Sequence, residues 1–167
     1  MIERLALPLL SALALSACGE DHSAPSMHLA CTHTVNAYAF ARDAIDVEAY
    51  GALFTDDVEF TFAGDTMVGR DAVMANLAER GPAFVTRHFI TSVIVHPNGD
   101  GTGSGSNKAM VFSPPTQAGG PPQALKPEDL FALVQYDDEY RMDDDKCLMS
   151  KRVVNIEYLR GAGGAED

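Results

Sequence analysis

The chain has 167 residues, enough for one domain with a real core and too few for two. Hydrophobic residues make up 46% and charged residues 22%, a globular balance that argues against wholesale disorder. Asp plus Glu total 24 against 12 for Lys plus Arg, and a net charge of −12 argues against nucleic acid as a partner and against adhesion to anionic lipid through a basic patch.

The first residues read as an export signal. Met1-Ile2-Glu3-Arg4 is a short polar start, and Leu5 to Leu15 is almost wholly Leu and Ala. That run has the length of a signal h-region and is too short to span a bilayer as a helix. It ends in Leu15-Ser16-Ala17-Cys18-Gly19, which resembles the lipobox of bacterial lipoproteins. The motif implies removal of residues 1–17 as a signal peptide, with Cys18 carrying the lipid (palmitate among its acyl groups) as the new N-terminus. The expected location is the bacterial envelope, and Gly19 rather than Asp after the cysteine points to the outer membrane, facing the periplasm. An ordinary secretory signal, or a core helix with a chance cysteine, is the alternative. Cys31 and Cys147 would then remain in an oxidising compartment, where one disulfide and two isolated buried thiols are both open.

Residues 18–27 read as a tether, polar from Asp21 to Ser26 and containing Pro25. From about Met27 the pattern turns helical, with Ala30, Thr34, Ala37, Ala41 and Ala44 at steps of three and four. Asp46 is a candidate N-cap for a short helix carrying Val47, Tyr50, Leu53 and Phe54. Thr55-Asp56-Asp57 reads as a turn, and Val58 to Phe62 alternates as a strand. Ala63-Gly64-Asp65 turns the chain. Gly69-Arg70-Asp71 opens a third helix through Val73 and Leu77, stopped by Gly81-Pro82. Phe84 to His96 alternates Thr86, His88, Ile90, Ser92 and Ile94 on one face with Val85, Arg87, Phe89, Thr91, Val93 and Val95 on the other. Pro97-Asn98-Gly99-Asp100 is a hairpin signal, and Gly101 to Phe112 is the return strand, its glycines allowing bulges. Ser113 to Pro127 is a proline-rich exposed loop. Leu130 to Met142 and Cys147 to Leu159 form a last hairpin around Asp143–Lys146, and residues 161–167 a frayed tail. Helices followed by long antiparallel strands predict an α+β domain over residues 28–160: three N-terminal helices on one face of a cone-shaped, curved antiparallel sheet whose concave face makes a pocket.

With these elements in order, the chain from about His28 to Leu159 resembles the SnoaL-like branch of the nuclear transport factor 2-like superfamily. The pieces that carry the likeness are Tyr38 to Asp43, Leu53-Phe54-Thr55-Asp56-Asp57-Val58, Gly69-Arg70-Asp71-Ala72-Val73, Thr86-Arg87-His88-Phe89-Ile90, and Tyr136-Asp137-Asp138-Glu139-Tyr140 followed by Ser150-Lys151-Arg152. The pattern is most similar to the scytalone dehydratase and hexachlorocyclohexane dehydrochlorinase group. Those enzymes share an aspartate after the first helix and a histidine in the strand after the third, matched here by Asp43 and His88. The resemblance implies metal-free, cofactor-free chemistry: the imidazole takes a proton from carbon, the carboxylate holds its tautomer, and a leaving group departs. The strand that carries a second histidine in scytalone dehydratase has none here, so that dehydration itself is not implied. Relatives often dimerise through the open sheet face, which makes a homodimer an expected assembly.

Asp43 and His88 also make sense without the family, because a carboxylate on one nitrogen orients a neutral imidazole for general-base work at the other. The alternative is a structural hydrogen-bonded pair lining a cavity. Tyr38, Phe60, Phe62, Tyr136, Asp138, Tyr140 and Met142 are candidate pocket walls. Core packing explains the aromatics equally well, but a buried Asp138 needs a partner or a function. Histidine and cysteine spacings do not suit zinc, Asp143-Asp144-Asp145 lacks the pattern of a calcium loop, and Ser104 and Ser106 lack a nucleophile elbow. Three function classes follow: a cofactor-free lyase or isomerase acting on a small hydrophobic cyclic molecule, a non-catalytic ligand-binding lipoprotein, and an oligomerisation module.

Overall fold

The computed structural model describes residues 24–80, 84–115 and 124–161. Expectations for Cys18 and the signal segment, the Gly81-Pro82 stop, Pro121, Pro122 and the tail past Gly161 fall outside the described residues.

The first helix, α1, runs Ala24–Ala44 and so begins three residues ahead of the Met27 periodicity. A proline is tolerated there because the first turn needs no backbone N–H. Met27, Cys31, Thr34, Val35, Tyr38 and Ala41 form its buried side. The helix closes with two reversed hydrogen bonds, Ile45 N–H to the Arg42 carbonyl at 3.3 Å and Asp46 N–H to that of Ala41 at 3.0 Å. This motif needs a left-handed residue at its bend, usually glycine. Ile45 takes that role at φ 56°, with its side chain packed against the core.

Asp46 caps α2 (Val47–Gly51), accepting the Ala49 N–H at 3.0 Å. Leu53 and Phe54 lie beyond this helix rather than on it, because Phe54 opens β1 (Phe54–Phe62). Thr55-Asp56-Asp57 is therefore strand, not turn. It spans an irregularity in pairing between Phe54 and Glu59, with both aspartates turned to solvent. A short edge strand, β2 (Asp65–Val68), follows and pairs with β1. Helix α3 (Arg70–Arg80) buries Val73 and Leu77. Then come β3 (Arg87–Pro97), β4 (Thr102–Phe112), a single 3-10 turn at Pro127–Asp129, β5 (Leu130–Asp143) and β6 (Lys146–Leu159).

The six strands form one curved, unclosed sheet in the order β2-β1-β6-β5-β4-β3. All neighbours are antiparallel except β1 and β6, which run parallel. Among the described residues no helix is long and apolar enough to cross a membrane.

Two bulges decide which side chains face inward. In β3 the register passes from Ile90↔Ala109 to Ser92↔Lys108, leaving Thr91 extra. The strict alternation expected for this strand therefore fails past Thr91: Val93 and Val95 turn in, and Ile94 is 51% exposed. In β6 the register passes from Tyr140↔Met149 to Glu139↔Lys151, and Ser150 is the extra residue. That step sets Arg152 opposite Asp138, on the inner face. The β4 glycines have a different use from the one expected. A Cβ on Gly105 would strike the Ile94 carbonyl, and one on Gly103 would press on Met27, so the absent side chains let β3 and α1 approach.

Candidate functional site

Asp43 occupies the last turn of α1, and β3 starts directly opposite it. The Asp43 carboxylate receives three donors from that strand and the residue just before it. His88 Nδ1 lies 2.6 Å from Oδ1, the His88 backbone N–H donates to Oδ2 at 2.7 Å, and the Thr86 hydroxyl donates to Oδ1 at 3.0 Å. The Asp43 carbonyl also accepts from Arg87 Nη1 at 3.4 Å. A carboxylate gripped by both backbone and ring fixes the imidazole as the Nδ1–H tautomer, leaving the Nε2 lone pair for chemistry. The pair, 45 positions apart in the chain, is thus brought together within hydrogen-bond reach. The His88 side chain is 6% exposed, that of Asp43 15%. Thr86, fully buried, is a third member that sequence reading missed, since a lone strand threonine carries no signal.

The candidate wall residues lie deeper. Tyr38, Phe60, Tyr136, Asp138 and Tyr140 are buried, Met142 and Phe62 partly so, and they pack together in one core. Asp138 has its partner in Arg152, whose side chain is 0% exposed. Arg152 Nε and Nη2 each donate to the carboxylate at 2.7 Å, in the two-pronged geometry that suits guanidinium. Tyr140 OH at 2.9 Å and Asn107 Nδ2 at 2.8 Å complete the shell. The guanidinium also stacks 4.1 Å from the Tyr38 ring centre and 4.4 Å from that of Tyr136. Arg152 Nη1 and Asn107 Oδ1 have no hydrogen-bond partner among the described residues. Tyr38 links the two clusters, its ring meeting His88 edge-on at 6.1 Å. One hollow of about 420 Å³ sits on the outer sheet face near His96, Ser104 and Lys151, and one of about 490 Å³ lies beside α1.

Burial opposes the charge on Arg152, and Asp138 more than offsets it, so the guanidinium holds its proton more tightly than usual. Burial first, then the Tyr38 phenol group at Tyr50 and Tyr136 and the Asp138 charge at Tyr140, raises those three phenols well above their ordinary range. Below about pH 10 all three are protonated whether folded or unfolded. Above it the unfolded chain sheds protons that the folded chain retains, so stability falls as pH rises from there. Tyrosinate absorbance from these rings should therefore appear only together with loss of the folded circular dichroism signal. A smooth titration of all rings in the folded protein would contradict the packing.

Cys31 on α1 and Cys147 at the start of β6 form a disulfide, with Cα atoms 4.9 Å apart. The Thr34 hydroxyl donates to the Cys147 carbonyl at 2.6 Å beside it, a second tie between the same elements.

Residues 26–153 match the SnoaL-like domain. The chain belongs to this family. Among curated proteins, none matches it. Three of the solved structures similar to this chain illustrate the shared fold. Rv3472 from Mycobacterium tuberculosis, a protein of unknown function, has TM-score 0.67 and 20% identity over 83% of this chain and 80% of its own. Aln2 from a Streptomyces species has TM-score 0.65 and 22% identity over 81% of this chain and 94% of its own. A Novosphingobium aromaticivorans protein named "Putative Scytalone Dehydratase" has TM-score 0.65 and 19% identity over 83% of this chain and 94% of its own. The SnoaL-like assignment thus rests on the family match, and the structural likeness extends it to the curved sheet with its three helices.

Proposed function

We propose that this SnoaL-like protein is an envelope lipoprotein that performs a cofactor-free lyase or isomerase step on a small hydrophobic cyclic molecule, with His88 as general base. The observation that carries the reading is the 2.6 Å contact between His88 Nδ1 and Asp43. Nε2 removes a proton from carbon, and the electron pair of the broken C–H bond forms a double bond. Either a leaving group departs from the adjacent carbon, or the proton returns at another one. Asp43 stabilises the imidazolium in the meantime. The unpaired Nη1 of Arg152, stacked on the same Tyr38 ring that flanks His88, is a donor suited to a ligand oxygen that gains charge.

Deuterium wash-in to a bicyclic ketone, β-tetralone, measured by mass spectrometry, tests the base without knowledge of the natural substrate. The protein should accelerate exchange, and His88→Ala should remove roughly 10²–10⁴-fold of that rate, the usual worth of a positioned base. Asp43→Asn should lower it as well, since an amide does not stabilise the imidazolium. A second reading, a structural clamp in a non-catalytic binding module, is favoured by the 6% exposure of His88. Under it, His88→Ala lowers the melting temperature and leaves any exchange unchanged.

The anchor has its own test. Lipidated protein should partition into detergent, and Cys18→Ser should release it or leave an unprocessed precursor. Soluble mature protein with an unmodified Cys18 would remove the membrane from the proposal. Exposed Phe89, Ile94 and Met110 on β3 and β4 support an assembly surface on the outer sheet face, consistent with a homodimer.

A further inference from the structure

Helix α1 carries a face that the dyad does not use. From Ala24 to Ala41 it contains no Asp, Glu, Lys or Arg, in a chain where 22% of residues are charged. Leu29 and Phe40 project from it into solvent, 74% and 79% exposed, more than any other large apolar side chain described. Eleven positions separate them, close to three helical turns, so they share one side of the helix, with exposed His33 and Asn36 between. Beside Phe40 the hollow of about 490 Å³ continues this surface, lined by Ala37, Ala41, Ala44 and Ala49, with Asp46 at its edge. A solvated helix in so acidic a protein ordinarily bears charge on its outer side.

The position of Cys18 indicates what covers this face. Only five residues separate it from Ala24, a span of at most about 20 Å even when extended. A lipid on Cys18 therefore keeps the start of α1 at the bilayer surface. We infer that the outer face of α1 rests on the membrane that holds this lipid, with Leu29 and Phe40 inserted at the boundary between headgroups and acyl chains. The inference rests on the lipid-anchor reading above. The anchor and the face act as two signals, since two apolar side chains on a chain of charge −12 do not hold a bilayer unaided. Asp43 lies less than one turn beyond Phe40, so a ligand dissolved in the acyl layer meets the dyad end of the helix without crossing open water.

The chain contains no tryptophan, so a single introduced indole reports alone. Lipidated Phe40→Trp protein, reconstituted in phosphatidylcholine vesicles with and without brominated acyl chains, should show a blue-shifted emission that the bromine quenches. Phe89→Trp, on the outer sheet face, should escape the bromine quenching. Protein that floats with the vesicles while the Phe40→Trp emission stays red and unquenched overturns the inference and leaves the anchor intact. Protein that does not float overturns both. A blue shift that grows with protein concentration in the soluble Cys18→Ser, Phe40→Trp chain, without vesicles, assigns the face to a second copy and equally overturns it.

Discussion

Asp138→Ala should cost the domain about 3–5 kcal/mol, the usual penalty for leaving one member of a buried ion pair uncompensated. Arg152 is fully buried and donates two hydrogen bonds to Asp138, its one carboxylate partner among the described residues. The same change strips an acceptor from Tyr140 OH and from Asn107 Nδ2. Against a total stability of about 5–15 kcal/mol for a domain, the loss corresponds to a fall in melting temperature on the order of 10 °C. Urea unfolding at neutral pH gives the direct measure, and a loss below about 1 kcal/mol would show that water reaches the guanidinium. Combining Asp138→Leu with Arg152→Met should recover much of the loss, because an apolar pair carries no desolvation penalty. Recovery will be incomplete, as Asn107 and Tyr140 still lack their acceptor.

Removing the disulfide with Cys31→Ala and Cys147→Ala should cost up to about 4–5 kcal/mol. The cross-link joins residues 116 positions apart, and loop entropy grows with the logarithm of that separation. Its position sharpens the expectation. Both half-cystines are buried, so a mild reductant should act slowly on the folded protein and quickly once urea opens it. Thr34 keeps a hydrogen bond from α1 to β6 when the bond is gone, so the fold should survive in weakened form. Equal stability of oxidised protein and double variant would mean that the unfolded chain already holds these ends together.

How far this molecule was legible in its sequence depended on whether the deciding signal was local. Asp43 and His88 stood out because each lies in a short stretch that matches the family pattern, one at a helix end and one within a strand. The helix caps were equally local: Asp46 accepts its N–H where a capping residue is expected. The missed features come from bulges and from pairing across the sheet. Counting back from the last turn pairs Asp138 with Lys151, and only the extra Ser150 brings Arg152 opposite it. A period of two likewise ran unbroken through Thr91, yet one unpaired residue there exchanges the faces of Ile94 and Val95. Two adjacent aspartates made Asp56-Asp57 look like a turn, while pairing of Phe54 and Glu59 with the distant β6 on either side keeps that segment within a strand. Strand β2 escaped notice because an edge strand of four residues, mostly solvated, needs no apolar alternation. The core-filling role of Tyr38 and Tyr136 depends on the guanidinium stacked on them, and their own positions do not announce it.

The parallel pairing of β1 with β6 sets the order in which the polypeptide can mature. Strand β6 is last in the chain and third in the sheet, so β2–β1 on one side and β5–β4–β3 on the other meet across it. A premature stop ahead of Lys146 would remove the middle of the sheet rather than trim its rim, taking Arg152 and one half-cystine with it. During synthesis the earlier segments have no finished surface on which to settle until the final strand has been made. Until β6 has been made, α1 lacks its disulfide partner and Asp138 lacks its guanidinium, so the core closes late.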